Sequence, residues 1–347
     1  MRLVFVTDTL MSGGAERVIS ILANHFAKKY NVEILCLMSA SVFYTIDSSV
    51  KIVQVEDYEK NSIKKLWFLR KYLLPNDIII PFMEAVYCKV LLSLAGKKRT
   101  IIPSERNDPN KMERRWTVIR RLFMSKITKF VVQTNKIKEF YPFFFKKKVV
   151  VIPNPVDKTQ YTTDEWNPNS KIILAVARTE PQKNYSMMIM AVAAMHEIHP
   201  EFRLEIYGCR DKETEYARHL FALIDELNAN EYIHINGRSK NVAELYSAAY
   251  MFVMSSDYEG LSNSLIEALC SGRPVISTKV SGATDLIKDG ENGLLVDIGD
   301  QKGLTAAMCS LIENKELAYT IAGNATKIRS LLAKEKICSE WEKIIMK

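Results

Sequence analysis

The chain has 347 residues, 48% of them hydrophobic, and a formal net charge of +8, enough apolar content for two ordinary domains and too much for a disordered polymer. No stretch has the eighteen or more uninterrupted apolar residues of a membrane-spanning helix. The six cysteines (Cys36, Cys88, Cys209, Cys270, Cys309, Cys338) show no paired short spacing, so neither a disulfide framework nor a zinc motif is expected, and a reducing cytoplasm fits best.

In chain order, LVFVT, a helix from Ala15, VEILCLM, KIVQV, a helix near 62–74, DIIIP, a helix near 84–95, TIIPS, a helix near 111–126, KFVVQ and VVVIP alternate strand with helix. This alternation predicts a parallel, doubly wound α/β sheet. The N-terminus MRLVFVTDTL runs directly into a strand, without the pattern of a signal peptide. Two prolines in IPNPVDKTQY interrupt the series near residue 155, and a domain boundary is expected there. KIILAVA then restarts it, followed by a helix from about Lys183, FRLEIYG, a helix near 213–226, YIHING, a helix near 241–248, YMFVMS, a helix from about Leu261, PVIST and GLLVD. Helices near 300–312, 315–331 and 334–346 close the chain. The reading is two Rossmann-like domains facing across a cleft, residues 1–154 and 155–333, with the C-terminal helix at about 334–347 packing back on the first.

Charge divides at the same boundary. Before it, 27 basic side chains stand against 13 acidic, a surplus of 14; after it, 21 stand against 27, a deficit of 6. A basic first half suits nucleic acid, an anionic membrane face or a phosphorylated substrate, and composition does not choose among them.

In SGGAERV, residues 12–18, Gly13 and Gly14 let backbone approach a ligand where a helix start favours negative charge. No third glycine completes G-x-G-x-x-G, so an acceptor or phosphate pocket is favoured over a dinucleotide site. On the helix KNSIKKLWFLRKYLL, Lys60, Lys64 and Lys71 share a narrow stripe beside Trp67 and Phe68, while Ile63, Leu66, Leu69 and Leu73 form a separate apolar face. KMERRWTVIRRLF spaces Met112, Trp116, Ile119 and Phe123 helically among cations, and FYPFFFKKK sets five aromatics beside three lysines. Aromatics interleaved with basic residues favour a peripheral membrane face over RNA, because no nucleic-acid module is visible.

In the second half, RTEPQKNY places Arg178 and Lys183 at a strand end, where two cations can neutralise a leaving diphosphate. HINGRSKNVAEL adds a turn at Gly237 and Arg238. SSDYEGLSNSLIEALCSG brackets a helix between Glu259 and Glu267, about 12 Å apart at 1.5 Å per residue. The spacing alone proves little, since Glu105/Glu113, Glu197/Glu205 and Glu205/Glu213 repeat it. Its weight comes from the Gly-containing strand-to-helix junction, where α/β sheets hold ligands.

Together SGGAER, IIPSERNDP, VVVIPNPVD, ARTEPQKN, NGRSKNVAELY, EGLSNSLIEALCSGRPVIST and GATDLIKDGENGLLV resemble the retaining glycosyltransferases of family 4, which have the two-domain GT-B fold. The resemblance implies a nucleotide-sugar donor, with UDP the commonest nucleotide, bound mainly by the C-terminal domain. It implies that Arg178 and Lys183 hold the diphosphate, Glu259 the transferred sugar and Glu267 the ribose. Gly260, Leu261 and Ser262 would offer backbone at sugar and phosphate, and Gly237 and Arg238 would lie near the base. Ser104, Glu105 and Arg106 would be acceptor-side residues, although Arg106 stands where many relatives carry His. No D-x-D sequence occurs, which agrees with front-face, metal-independent transfer needing no cofactor. Within the family the chain looks like enzymes that extend lipid-linked glycans on the inner face of the bacterial cytoplasmic membrane, with Lys60, Lys64, Trp67 and Lys71 docking the membrane or acceptor, and no nucleic acid as partner. A nucleotide-sugar epimerase of the same fold and a non-enzymatic RNA- or membrane-binding scaffold are the alternatives.

Overall fold

The computed structural model describes residues 1–157, 166–209, 211–239 and 241–346. Part of the expected linker, from residue 158, lies outside the described residues, as does Lys240 of the NGRSK turn. The chain divides into two compact units, Met1–Pro155 with Lys334–Lys347, and Val156–Ala333. Among the described residues no helix is long and apolar enough to cross a membrane.

The first unit runs β1 (Arg2–Thr7), α1 (Gly14–Phe26), β2 (Asn31–Cys36), β3 (Lys51–Gln54), α2 (Ser62–Tyr72), β4 (Asp77–Pro81), α3 (Glu84–Ser93), β5 (Thr100–Ile101), α4 (Arg114–Phe123), β6 (Phe130–Val132), α5 (Asn135–Phe140), α6 (Phe143–Lys146) and β7 (Val149–Val151). Five strands pair in parallel in the order β3-β2-β1-β4-β5, and β6 pairs with β7. Ser104 joins the two sets by bridging Phe82 on one side and Val131 on the other. Strand alternation splits the core into two layers. Leu3 and Phe5 of β1 pack with α1 and the C-terminal helix, while Val4 and Val6 pack with α2, α3, α5 and α6.

The second unit runs β8 (Ile172–Val176), α7 (Tyr185–His196), β9 (Arg203–Tyr207), α8 (Glu215–Glu226), β10 (Ile233–Asn236), α9 (Val242–Ala248), β11 (Met251–Met254), α10 (Asn263–Cys270), β12 (Val275–Thr278), α11 (Ser281–Leu286), β13 (Leu294–Val296), α12 (Gln301–Glu313), α13 (Lys315–Ala325) and α14 (Ile328–Leu331). Its six parallel strands take the order β10-β9-β8-β11-β12-β13. Ile173 and Ala175 face α7, α8, α12 and α13, and Leu174 faces α9, α10, α11 and α14. Because β9 and β11 flank β8 on opposite sides, the order reverses between β8 and β11, which opens a crevice at their carboxyl ends.

The last helix, α15 (Lys334–Ile345), belongs to the first unit. Trp341 is fully buried and stacks on Phe82 with ring centroids 6.0 Å apart. Glu342 accepts from Lys29 Nζ at 2.6 Å and Tyr30 OH at 2.7 Å.

Three sequence-based assignments shift. Ile63 is 68% exposed instead of facing the core: it lies in the first turn of α2, and burial of this apolar face is confined to Leu69 and Leu73 at the other end. Met112, Trp116, Ile119 and Phe123 do not form an outward stripe. They pack against the core, and the outward apolar side chains near them are Val118 and Leu122. The five aromatics of FYPFFFKKK do not share one exposed face: Pro142 precedes a helical turn that buries Phe145 and leaves Phe143 and Phe144 exposed, while Tyr141 is buried.

Candidate active site

The loops after β8 and β11 are stitched together residue by residue. From β8 the chain makes a 3-10 turn at Pro181–Lys183, ended by Asn184 in the left-handed region at φ 46°. Asn184 also caps α7 by accepting from the Met187 N–H, a turn-and-cap role that asparagine suits. Its Nδ2 donates to Asp257 Oδ1 at 2.8 Å. Gln182 accepts from the Asp257 N–H at 2.9 Å and donates to Tyr258 O at 2.8 Å. The Ser255 hydroxyl lies 2.8 Å from Lys183 O.

This lattice holds Lys183 Nζ against Glu259 Oε1. Ser256 Oγ donates to the same carboxylate oxygen at 3.2 Å, and Thr278 Oγ1 pins Ser256 by donating to its carbonyl at 2.6 Å. Glu259 is only 9% exposed. Lys183, Ser255, Ser256 and Ser262 line a depression at the strand ends whose floor is Ala175, Val176 and Val253.

Two glycines let the surrounding backbone close in. Gly208, at φ 120°, lies so near the end of β8 that a Cβ would sit 2.8 Å from the Ala177 carbonyl carbon. At Gly282 a Cβ would come within 2.7 Å of Leu261 Cα and closer still to the Gly260 carbonyl. The start of α11 is thereby seated on the Gly260–Leu261 turn. Ser262 ends that turn by capping α10, accepting from the Leu265 N–H. About one turn into α10, Glu267 is 6% exposed and accepts from Tyr246 OH at 3.1 Å.

The structure thus brings Lys183, Glu259, Gly260, Leu261 and Ser262 to one edge, with Glu267 below them. Arg178 is half-exposed, with Nη1 2.6 Å from Glu180 Oε1. Gly237 accepts from the Gly208 N–H at 3.1 Å, and Arg238 is exposed on the same loop after β10. Sequence reading missed Ser255, Ser256, Asp257, Asn184 and Tyr246. The adjacent SSD after an apolar strand was the available signal, but its partners lie more than seventy residues away along the chain.

In the first unit the acceptor-side candidates separate. Gly13 is the extended N-cap of α1, with the Glu16 carboxylate folded against it and Tyr44 OH donating to its carbonyl at 3.1 Å. A carboxylate already occupies that helix start. Glu105 and Arg106 point to opposite faces of the sheet. Glu105 is fully buried, accepts from Tyr87 OH at 2.8 Å and lies 3.9 Å from Arg120 Nη1. Burial, reinforced by Glu84, pushes its carboxyl up to about 7. Arg106 stacks on Phe82 at 4.6 Å and donates from Nη1 to Asn154 Oδ1 at 2.7 Å, and burial draws its guanidinium down to about 9. Ser104 is completely buried at the strand bridge. Lys60, Lys64, Trp67 and Lys71 are all exposed, Trp67 at 60%.

Residues 158–328 match the family described as Glycosyl transferases group 1. Over 99% of this chain and 98% of the relative, 27% of residues are identical to a Campylobacter jejuni protein named as an undecaprenol-diphosphate-glycan α-1,4-N-acetyl-D-galactosaminyltransferase. A second relative, the amylovoran biosynthesis glycosyltransferase AmsD of Erwinia amylovora, is 26% identical over 99% of each chain. Among solved structures, Anabaena HepE in complex with UDP and glucose superposes with a TM-score of 0.80 at 17% identity, covering 100% of this chain and 99% of that one. Sucrose-phosphate synthase of Thermosynechococcus elongatus reaches 0.83 at 16% identity over 99% and 98%. The chain is a glycosyltransferase of the GT-B fold, and its stretch from residue 158 to residue 328 belongs to the group 1 glycosyl transferases.

Proposed function

We propose that the chain transfers a sugar, with retention of anomeric configuration, from a UDP-sugar to a lipid-linked saccharide in the assembly of a bacterial surface glycan. The observation that carries this reading is the contact of Lys183 with Glu259 at the strand-order reversal of the second sheet. A cation and a carboxylate side by side, both largely withdrawn from water, match the two halves of a sugar diphosphate: anionic phosphate on one side, hydroxyl donors on the other.

In this mechanism the donor's phosphate takes over part of the Lys183 ammonium and Glu259 turns to the sugar hydroxyls, fixing the ring without attacking it. The bond from the anomeric carbon to the phosphate oxygen breaks, and the acceptor oxygen forms its bond on the same face. The acceptor's proton passes to the departing phosphate. Lys183, with Arg178 once released from Glu180, balances the charge that grows on the leaving group, so no divalent ion is needed for the step. Glu267, held by Tyr246, receives the ribose hydroxyls.

The lipid-linked acceptor is supported by the Campylobacter relative, whose name specifies an undecaprenol diphosphate substrate. UDP is supported by the nucleotide in the HepE complex. Peripheral binding to an anionic membrane on its cytoplasmic side is supported by Ile63, Trp67, Phe143 and Phe144, exposed at 60 to 80%, beside Lys60, Lys64, Lys71, Lys146 and Lys147.

The test is incubation of purified protein with a panel of UDP-sugars and a polyprenyl-diphosphate saccharide, with and without EDTA, reading product mass and anomeric configuration by NMR. An acceptor-dependent, chelator-resistant α-linked product from an α-linked donor is expected. Acceptor-free interconversion of the donor sugar would establish an epimerase instead, and an inverted product would overturn the front-face mechanism.

A further inference from the structure

On α12, Cys309 and Glu313 are four residues apart and therefore share one face. The turn between α7 and β9 brings His199 to that face, with its Nε2 3.1 Å from Glu313 Oε1 although the two residues are 114 apart in sequence. One donor atom from each of His199, Cys309 and Glu313 lies within 4.8 Å of the other two. The arrangement is held in place. His199 N donates to Met195 O at 2.9 Å and its carbonyl accepts from the Phe202 N–H at 3.3 Å. Thr305 Oγ1 donates to Ala191 O at 3.1 Å, tying α12 to α7. The imidazole is 17% exposed and the Glu313 side chain 60%, with the thiol partly buried between the helices. Of the two carboxylates flanking the turn, Glu201 is paired with Lys171 Nζ at 3.5 Å, while Glu197 adds negative charge on the His199 side.

We propose that His199, Cys309 and Glu313 form a binding site for a divalent transition metal of the zinc class. A thiolate, an imidazole and a carboxylate are the ligand types that zinc and cobalt(II) accept in tetrahedral geometry with water in the fourth position, whereas magnesium and calcium select oxygen alone. The site would staple the α7–β9 turn to α12. It takes no part in sugar transfer. Helix α7 starts beside Lys183 and runs away from the crevice for twelve residues, so its far end is about 18 Å from Lys183 at 1.5 Å per residue.

Cobalt(II) is titrated into reduced, tag-free protein and then displaced with zinc. One equivalent should give a thiolate-to-cobalt charge-transfer band in the near ultraviolet, abolished in Cys309→Ser, since the other five cysteines are buried and Cys309 alone joins His199 and Glu313. His199→Gln should weaken binding at least roughly tenfold, a loss that even an outer-shell change causes. Zinc should raise the melting temperature of the wild type but not of the triple variant His199→Gln/Cys309→Ser/Glu313→Gln, with sugar transfer equal in the two. Absence of the band, its persistence in Cys309→Ser, or zinc saturation only in the millimolar range would overturn the site.

Discussion

Lys183 and Glu259, 76 residues apart in sequence, meet at the carboxyl ends of β8 and β11, with 13% and 11% of their side chains exposed. An ion pair so far withdrawn from water holds its partners in register, and either charge left alone there is costly. Glu259→Gln should keep the hydrogen bond from Ser256 while losing the charge. It is expected to lower kcat by about a hundredfold or more, the scale of removing one positioned polar group from a reaction centre, with a smaller change in KM. Lys183→Met should lower kcat as well, read by the same steady-state assay.

Glu267 and Tyr246 form a second buried pair, deeper along α10. Glu267→Gln should mainly weaken donor binding, seen as raised KM and a reduced UDP-induced rise in melting temperature. Tyr246→Phe should act in the same direction by about 1 kcal/mol, the net value of one buried hydrogen bond. Equal effects on kcat and KM in both the Glu259 and Glu267 variants would sink the division of roles.

Gly282→Ala tests the seating of α11 on the Gly260–Leu261 turn. The new methyl would meet backbone 2.7 Å away, which cannot rotate aside, so a loss of about 1–3 kcal/mol in stability is expected from overpacking. Gly237→Ala is the control. No heavy atom lies within 4 Å of a Cβ there, and urea unfolding should show a midpoint close to the wild type.

Glu105 gives the fold a pH signature. Its folded pKa of about 7 stands above the ordinary 4.5 because the charged form is desolvated, so between those values the folded state holds a proton that the unfolded state has lost. That contribution to stability is present at low pH and disappears as pH rises from about 4.5 through 7. Glu105→Gln should therefore be relatively more stable than wild type at pH 8 than at pH 5, measured as the difference in melting temperature at each pH.

Membrane binding should depend on two kinds of side chain. Phe143→Ser/Phe144→Ser removes the most exposed aromatics among the described residues, at 80% and 72%, and Lys60/Lys64/Lys71→Ala removes three exposed lysines, two on α2 and Lys60 just before its N-cap Asn61. Each set should reduce co-sedimentation with phosphatidylglycerol vesicles, only the lysine set changing the salt dependence. Unchanged binding in both would remove the proposed face.

Local sequence was enough to show the alternation of strand and helix, the boundary near residue 155 and the strand-to-helix junctions that carry Lys183 and Glu259. Those are local properties: apolar period, proline breaks, glycine turns and helix caps. What each loop residue touches depends on contacts between segments distant along the chain. The amphipathic pattern of α4 did not reveal which stripe faces the core, because tryptophan and arginine suit either side. Neighbours in SERND diverge although they lie past the end of β5: the Glu105 N–H still donates to Val131 O at 2.9 Å, and its side chain goes under α3 while Arg106 goes onto Phe82. The lattice of Asn184, Ser255 and Asp257 joins segments that approach only when β8 and β11 pair. Lys183 beside Glu259 is thus a consequence of strand order, and strand order is set by long-range packing that no local spacing records.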